Sequence, residues 1–321
     1  MTDVLLIDAN SIGFAAQSGP KLQINGTPTQ AIFGVMRSVR LLCDENPTAN
    51  PIVFWDGKSW RYDHFPAYKD GREKDPKAAA ERVEYKSQRP MIGKVLTALG
   101  VEQQIAANME ADDLIAFVSR VVDEGQKATI VSGDRDLLQL IKENVDWLNP
   151  IRLPGGKLPK LLRVTNETFA EDTGYETASD FVKGKAFLGD ASDNLRGVDG
   201  IGVKSAPMIV KTWPDIRLMI EDVQLRGDAA IPPVLSRYKK KIKDFAASKE
   251  AQRNFLINYK LMRLTPQFIP EPVNWKTVRK PYNPAQFKAI CQELGFVSIL
   301  KDFDSWTRVF SEREEVLEKA A

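Results

Sequence analysis

Val4-Leu5-Leu6-Ile7-Asp8-Ala9-Asn10-Ser11 is an unbroken aliphatic run that ends on an acid and turn formers. Four apolar residues without alternation read as a strand buried on both faces, with Asp8 at its carboxyl end. The pattern returns twice, in Pro51-Ile52-Val53-Phe54-Trp55-Asp56-Gly57 and in Ala128-Thr129-Ile130-Val131-Ser132-Gly133-Asp134. Between these runs, apolar residues fall at helical spacing. Ile32, Val35, Met36, Val39 and Leu42 do so within Thr29 to Cys43, and Leu114, Ile115, Val118 and Val121 within Glu110 to Val122. Met91 to Leu99 also reads as helix, and Gly100-Val101-Glu102 opens another extended piece. Strand and helix alternate through residue 150, so the expected class is α/β, a mostly parallel central sheet flanked by helices on both faces. Such sheets collect ligands at the carboxyl ends of their strands. Three strands here carry an aspartate to that edge.

The chain of 321 residues is ample for a large core or two smaller ones. A hydrophobic content of 43% with 27% charged residues excludes a disordered chain. No apolar run reaches the ~18–20 residues of a membrane span, and the start lacks the basic and apolar regions of a signal peptide. Cys43 and Cys291 read as free thiols in a reducing cytoplasm. His64 is the only histidine, which excludes a Cys/His zinc site and a Ser-His-Asp triad. Any catalysis therefore falls mainly to carboxylates. Basic and acidic residues nearly balance, 45 to 43, yet the balance conceals a separation. Setting aside nine acids that recur at strand and helix ends leaves a basic surplus over the remaining surface. An anionic pocket in a basic shell suits a polyanion drawn toward bound metal ions.

Those nine are Asp8, Asp56, Glu110, Asp112, Asp113, Asp134, Asp136, Asp190 and Asp193. Glu110-Ala111-Asp112-Asp113 sets three acids at a helix start, where the helix dipole by itself accounts for ~0.3–1 kcal/mol each. Gly133-Asp134-Arg135-Asp136 and Gly189-Asp190-Ala191-Ser192-Asp193 each place paired acids beside a glycine turn. Carboxylates crowded together raise one another's pKa unless a cation neutralises them. All-oxygen donors select a hard ion, Mg²⁺ with Mn²⁺ as substitute. Two such ions ~3.5–4 Å apart can activate a water and stabilise the leaving oxygen of a phosphodiester.

In this order, and followed by Gly197-Val198-Asp199-Gly200-Ile201-Gly202-Val203-Lys204, these motifs resemble the 5′-nuclease superfamily of flap endonucleases and 5′–3′ exonucleases, over roughly residues 4–215. The resemblance is closest in kind to the phage 5′–3′ exonucleases and the phage RNase H that removes RNA primers. It implies a PIN-like or resolvase-like catalytic domain over 1–177, with a helical arch inserted at about 57–94. A helical DNA-binding domain would follow over 178–321, with a helix-hairpin-helix (H3TH) at about 195–215. It implies Asp8, Asp56, Glu110 and Asp112 around a first metal and Asp134, Asp136 and Asp190 around a second. Asp113 and Asp193 would assist directly or through water. Hydrolysis near 5′ ends would leave a 5′-phosphate and a 3′-hydroxyl. Ala9 stands where relatives often have Gly, a mild departure.

The paired glycines let backbone approach phosphate. The resemblance makes Gly200, Ile201, Gly202 and Lys204 a duplex-gripping hairpin, with a potassium ion bridging its carbonyls and a phosphate. Within 57–94, the stretch Phe65-Pro66-Ala67-Tyr68-Lys69-Asp70-Gly71-Arg72 resembles the base of the family's arch. Lys69 and Arg72, three apart, then hold the scissile phosphate as catalytic residues. Trp60, Tyr62, Phe65 and Tyr68 either stack on an unpaired base, worth ~1–3 kcal/mol, or anchor the segment to the core. Pro66, Pro76 and Pro90 are expected to interrupt the arch.

Tyr238-Lys239-Lys240-Lys241-Ile242-Lys243 is a solvated helix face or an added phosphate contact, and Ser311 to Lys319 a polar helix. The expected protein is a stand-alone cytoplasmic monomer of a bacterium or phage-infected cell, without membrane contact. Its partners would be DNA with a 5′ flap, nick or recessed end, RNA-primed DNA, and a single-strand-binding protein or sliding clamp. Two other classes compete. A non-catalytic binder of branched DNA gains nothing from an anionic pocket, and a small-molecule phosphatase with nucleophilic Asp8 has no use for the glycine hairpin.

Overall fold

The computed structural model describes residues 3–73, 75–151, 162–265 and 269–320. Strand β1 (Val4–Asp8) leads into helix α1 (Ala9–Gln17), a small hairpin of β2 (Gln23–Ile24) and β3 (Thr27–Pro28), and helix α2 (Gln30–Glu45). Strand β4 (Asn50–Trp55) pairs in parallel with β1. After the short α3 (Arg61–His64), the long α4 (Pro76–Ala98) returns the chain to β5 (Glu102–Ile105). Helix α5 (Ala111–Arg120), β6 (Ala128–Val131), β7 (Val145–Leu148) and β8 (Arg163–Val164) follow. Helices α6 (Phe169–Thr173) and α7 (Ala178–Leu188) lead to a ribbon of β9 (Gly189–Asp190) and β10 (Leu195–Arg196). Then come α8 (Ala206–Thr212), α9 (Ile216–Arg226), α10 (Lys239–Ala247) and α11 (Lys249–Met262). The chain closes with β11 (Lys276–Val278), α12 (Pro284–Glu293), α13 (Val297–Lys301) and α14 (Phe303–Ala320). No helix among the described residues is long and apolar enough to cross a membrane.

The seven-stranded sheet runs β11-β5-β4-β1-β6-β7-β8, parallel through its five central strands and antiparallel at both edges. From β1 the chain moves first to β4 on one side and later to β6 on the other. Asp8 therefore stands where the connections reverse, the usual crevice of an open α/β sheet. Alternate residues of the strands face opposite layers. Leu5, Ile7 and Val53 join the core under α1, α2 and α4, whereas Leu6, Phe54 and Ile130 join the core under α5. The unbroken apolar runs thus reflect burial on both faces.

Two expectations change. Pro90 lies inside a continuous α4, with Tyr85, Gln88, Ile92, Val95 and Leu96 buried around it, and Pro76 starts that helix, where a missing N–H costs nothing. Packing of the buried face outweighs the lost hydrogen bond at Pro90. The cores also divide the chain differently from a cut at 177. A separate core joins Phe187, Val198, Ile201 and Phe245 with α8–α11. The last stretch returns to the α/β layer. There β11 pairs with β5, and Phe287, Ile290, Phe296 and Phe310 enter the core beneath α2 and α4.

Candidate metal and phosphodiester site

Strand ends and helix starts bring the acids to one edge. Asp8 caps α1: its Oδ1 accepts the amide hydrogens of Asn10 and Ser11, both at 3.0 Å, and its Oδ2 accepts the Ser132 hydroxyl at 2.9 Å. Asp56, just past β4, accepts the Ala111 amide at 2.8 Å, tying that strand to the start of α5. Asp134 follows β6 and accepts the Asp136 amide at 2.8 Å. Asp190 sits in the β9–β10 ribbon and accepts the Ser192 amide at 2.8 Å. The Gly197 and Gly189 positions in and beside this ribbon pack backbone on backbone, and a Cβ at Gly197 would fall 2.2 Å from the Leu188 carbonyl oxygen.

A narrow cleft is lined by Glu110, Asp112, Asp134, Asp136, Asp190 and Asp193. A neighbouring cavity of about 720 Å³ takes in Asp56 and shares Lys69, Arg72 and Glu110 with it. Asp8 joins electrostatically: burial, then Asp56 and Asp134, pushes its carboxyl up to about 7. Burial and Asp134 push Asp136 up to about 6. Asp112 is raised well above the carboxylate range by burial and by Asp134, Asp8, Asp56 and Glu110. Burial also raises Asp56 and Asp134. These acids are close enough to repel one another, and repulsion of this kind is what a bound cation relieves.

Cations from two segments of the chain reach these acids. Lys69 pairs with Glu110, Arg72 with Asp193 at 2.6 Å, and Lys185 with Asp136 at 2.7 Å and Asp190 at 4.0 Å. Burial alone would raise Glu110, but Lys69 and Arg61 hold it down to about 2. Lys69 adopts a left-handed backbone, φ 63°, and its amide donates to the Asp193 carbonyl. Non-glycine residues in that region are uncommon and cluster at functional sites. With Lys69, Arg72 and Lys185 in these positions, no three His, Cys, Asp or Glu side chains among the described residues form a closed ligand set. The donors nonetheless match a hard ion: every acid is a carboxylate, and five are held above their ordinary pKa by burial and by neighbouring carboxylates.

Asp113 is held differently from the other acids. Its side chain is fully buried, and both oxygens are taken by Arg61 at 2.9 Å, with Trp60 Nε1 and the Glu110 amide also donating to Oδ2. With Glu110 it forms a capping box at the start of α5, so it holds that helix and turns away from the cleft. Arg61 also donates to Glu110 and to the Leu261 carbonyl, tying α3, α5 and α11 together. Trp60 and Tyr68 are buried and Phe65 packs against the same core, so the aromatics of this stretch anchor it; Tyr62 alone of the four is exposed. Tyr68 donates to Glu110 and Asp193. From sequence, Tyr68 reads as a stacking or anchoring residue and not as a carboxylate partner, and no such contact is assigned to Arg61 or Lys185. An Arg-x-x-x-Phe-Pro-x-Tyr run before Lys69 is a usable sign for the first two; Lys185 has only its place in the last turn of α7, five residues before Asp190.

The glycine-rich segment Gly197–Lys204 lies between β10 and α8. Ile201 is buried, Lys204 exposed, and Gly200 takes φ +80° beneath the Lys241 side chain, whose Cδ would lie 2.5 Å from an added Cβ.

A sequence model of the N-terminal, resolvase-like domain of 5′–3′ exonucleases matches residues 3–174, more than half of the chain. The chain belongs to the 5′–3′ exonuclease family. Among its relatives, DNA polymerase I of Mycobacterium tuberculosis is 31% identical over 232 residues, which is 70% of this chain but 24% of the polymerase. The thermostable DNA polymerase I of Thermus thermophilus is 28% identical over 306 residues, 94% of this chain and 33% of that one. The chain thus spans a quarter to a third of these family relatives' length. A structure of T5 5′-exonuclease with bound zinc ions superposes with a TM-score of 0.62 at 17% identity, covering 97% of this chain and 99% of that one, which shows a shared fold.

Proposed function

We propose that this family member is a structure-selective 5′ nuclease, dependent on Mg²⁺ or Mn²⁺, that hydrolyses phosphodiesters at flaps, nicks and recessed 5′ ends, RNA primers included. The observation that carries the reading is the gathering of Asp8, Asp56, Glu110, Asp112, Asp134, Asp136, Asp190 and Asp193 at one sheet edge, with five of them raised by burial and by neighbouring acids. Asp8, Asp56, Glu110 and Asp112 would hold one ion and Asp134, Asp136 and Asp190 a second, with Asp193 beside them. Two such ions would neutralise the acids, polarise the phosphodiester and generate the attacking hydroxide. Ion entry requires the Lys69 and Lys185 ammonium groups to leave their carboxylates, which frees both for phosphate oxygens. Lys69 and Arg72, anchored from below by buried Tyr68, then stabilise the charge that grows on the scissile phosphate. Gly200, Ile201, Gly202 and Lys204 would hold the duplex backbone, with exposed Lys204 on a phosphate and K⁺ at the hairpin carbonyls.

The T5 structure carries zinc, and a bacteriophage T5 flap endonuclease structure at a TM-score of 0.62 and 18% identity holds DNA and metal ions. Both lend support to the reading. A labelled 5′-flap junction tests it. Cleavage is expected in Mg²⁺, none in EDTA, and none by Asp134→Ala or Asp190→Ala, although both still bind the junction. Near-normal turnover by both variants sinks the assignment, and a junction bound but never cut makes the chain a non-catalytic binder.

A further inference from the structure

Further along α4 from the acids lies a second cavity, of about 380 Å³, which nothing in the proposed reaction uses. Its size is that of a small-ligand site. Trp55 and Ile105 form its floor, Gly93, Lys94 and Thr97 of α4 one wall, and Val278 and Lys280 at the sheet edge the other. No carboxylate among the described residues lines it. Lys94 and Lys280 are exposed and have no ion-pair partner among the described residues. The floor is fixed: Trp55 Nε1 donates to Gln103, whose amide donates to Thr97 and the Gly93 carbonyl.

This cavity adjoins the large one that contains Asp56. Arg89 lines the large cavity, lies 5.2 Å over the ring of Trp55, which lines the second, and donates to the Asp56 carbonyl. Lys86, Arg89, Gly93 and Thr97 recur at three- and four-residue intervals on one flank of α4, with Lys94 alongside. Cations are thus spaced along one helix from the acid cleft to the sheet edge. A ligand with charge repeated along its length matches that spacing; a compact anion would meet only one end of it.

We propose that the Trp55–Lys94–Lys280 cavity is a subsite for single-stranded nucleic acid, taking the 5′ strand after it has crossed the large cavity beside Lys86 and Arg89. This rests on the 5′-nuclease reading. Lys94 and Lys280 contact phosphates, and the cavity between them accepts the strand without reading its bases.

The test compares two junctions, one with a flap of about ten nucleotides, inside the ~4–16-nucleotide range of single-strand grooves, and one with a single-nucleotide flap. Binding is followed by fluorescence anisotropy in EDTA, and cleavage by the wild-type protein in Mg²⁺. Lys94→Glu with Lys280→Glu is expected to weaken long-flap binding roughly five- to tenfold and to lower its log–log salt slope by about 1.4. Short-flap binding stays within about twofold, and the paired Lys→Arg variant binds like wild type. Equal losses on both junctions, or none, overturn the subsite while wild-type cleavage leaves the nuclease reading standing. A wild-type protein that cuts neither junction overturns both. A labelled oligoglutamate peptide bound by wild type and lost in the double variant, with flap binding intact, assigns the cavity to an acidic protein segment and overturns the proposal.

Discussion

Asp8→Asn should make the metal-free protein more stable while abolishing cleavage. The folded Asp8 carboxyl sits at about 7 against an ordinary 3.8, a rise caused by burial and then by Asp56 and Asp134. At ~1.4 kcal/mol per unit, that rise caps the cost of ionising Asp8 in the fold at about 4 kcal/mol. Asparagine keeps the Oδ1 that accepts the Asn10 and Ser11 amides, and it remains a good helix cap. What changes at Ser132 is one hydrogen bond, worth about 1 kcal/mol. A net gain of about 1–3 kcal/mol is expected above pH 7. The sign follows from linkage: a carboxyl raised in the fold binds its proton more tightly there, so wild-type stability falls as pH rises from 3.8 to about 7. The variant lacks that loss, so its advantage is absent near pH 4 and complete above 7. Asp136, raised to about 6, slopes the same way in both proteins and cancels in the comparison. Urea unfolding in EDTA at several pH values measures this, and adding Mg²⁺ should reverse the order, because an ion that binds only the folded wild type stabilises it by mass action. A variant less stable than wild type at pH 8 in EDTA, or equal Mg²⁺ stabilisation of both, refutes the reasoning.

Asp113→Asn leaves the buried Arg61 guanidinium with Glu110 as its one carboxylate partner and should cost roughly 3 kcal/mol in urea unfolding while leaving Mg²⁺ affinity of the folded protein unchanged by calorimetry. Lost Mg²⁺ binding at wild-type stability would return Asp113 to the ligand set. Lys69→Ala should slow single-turnover flap cleavage by about 10²-fold or more, with a much smaller effect on junction affinity. Equal losses in the two would reduce Lys69 to a docking contact. Gly200→Ala forces a side chain into φ +80° and against Lys241, and should weaken duplex binding measurably while costing about 1 kcal/mol of stability. Unchanged duplex affinity would remove the hairpin from the interface.

Much of the fold was legible because its signals are local. The runs ending at Asp8, Asp56 and Asp134 announce buried strands by their lack of alternation, and one parallel sheet is enough to bring those three acids to one edge. What local pattern does not carry is helix phase and long-range pairing. Glu110, Asp112 and Asp113 look equivalent as a tetrapeptide, yet one helical step of about 100° sends Asp112 into the cleft and Asp113 onto Arg61. The capping-box spacing of Glu110 and Asp113 was the available clue. Lys276-Thr277-Val278 is too short and too exposed to read as a strand, and its partner β5 lies far back in the chain, so the return of the last segment to the sheet was invisible. Pro90 misled for the related reason that tertiary burial of Tyr85, Ile92 and Leu96 overrides a local helix breaker.

The central claim is that acids scattered from Asp8 to Asp193 hold divalent ions over a phosphodiester. Anomalous diffraction from crystals soaked in Mn²⁺ tests it most directly. Two peaks are expected, one among Asp8, Asp56, Glu110 and Asp112 and the other among Asp134, Asp136 and Asp190, with Lys69 and Lys185 drawn off their carboxylates. Fully soaked crystals with no manganese at that sheet edge would contradict the account.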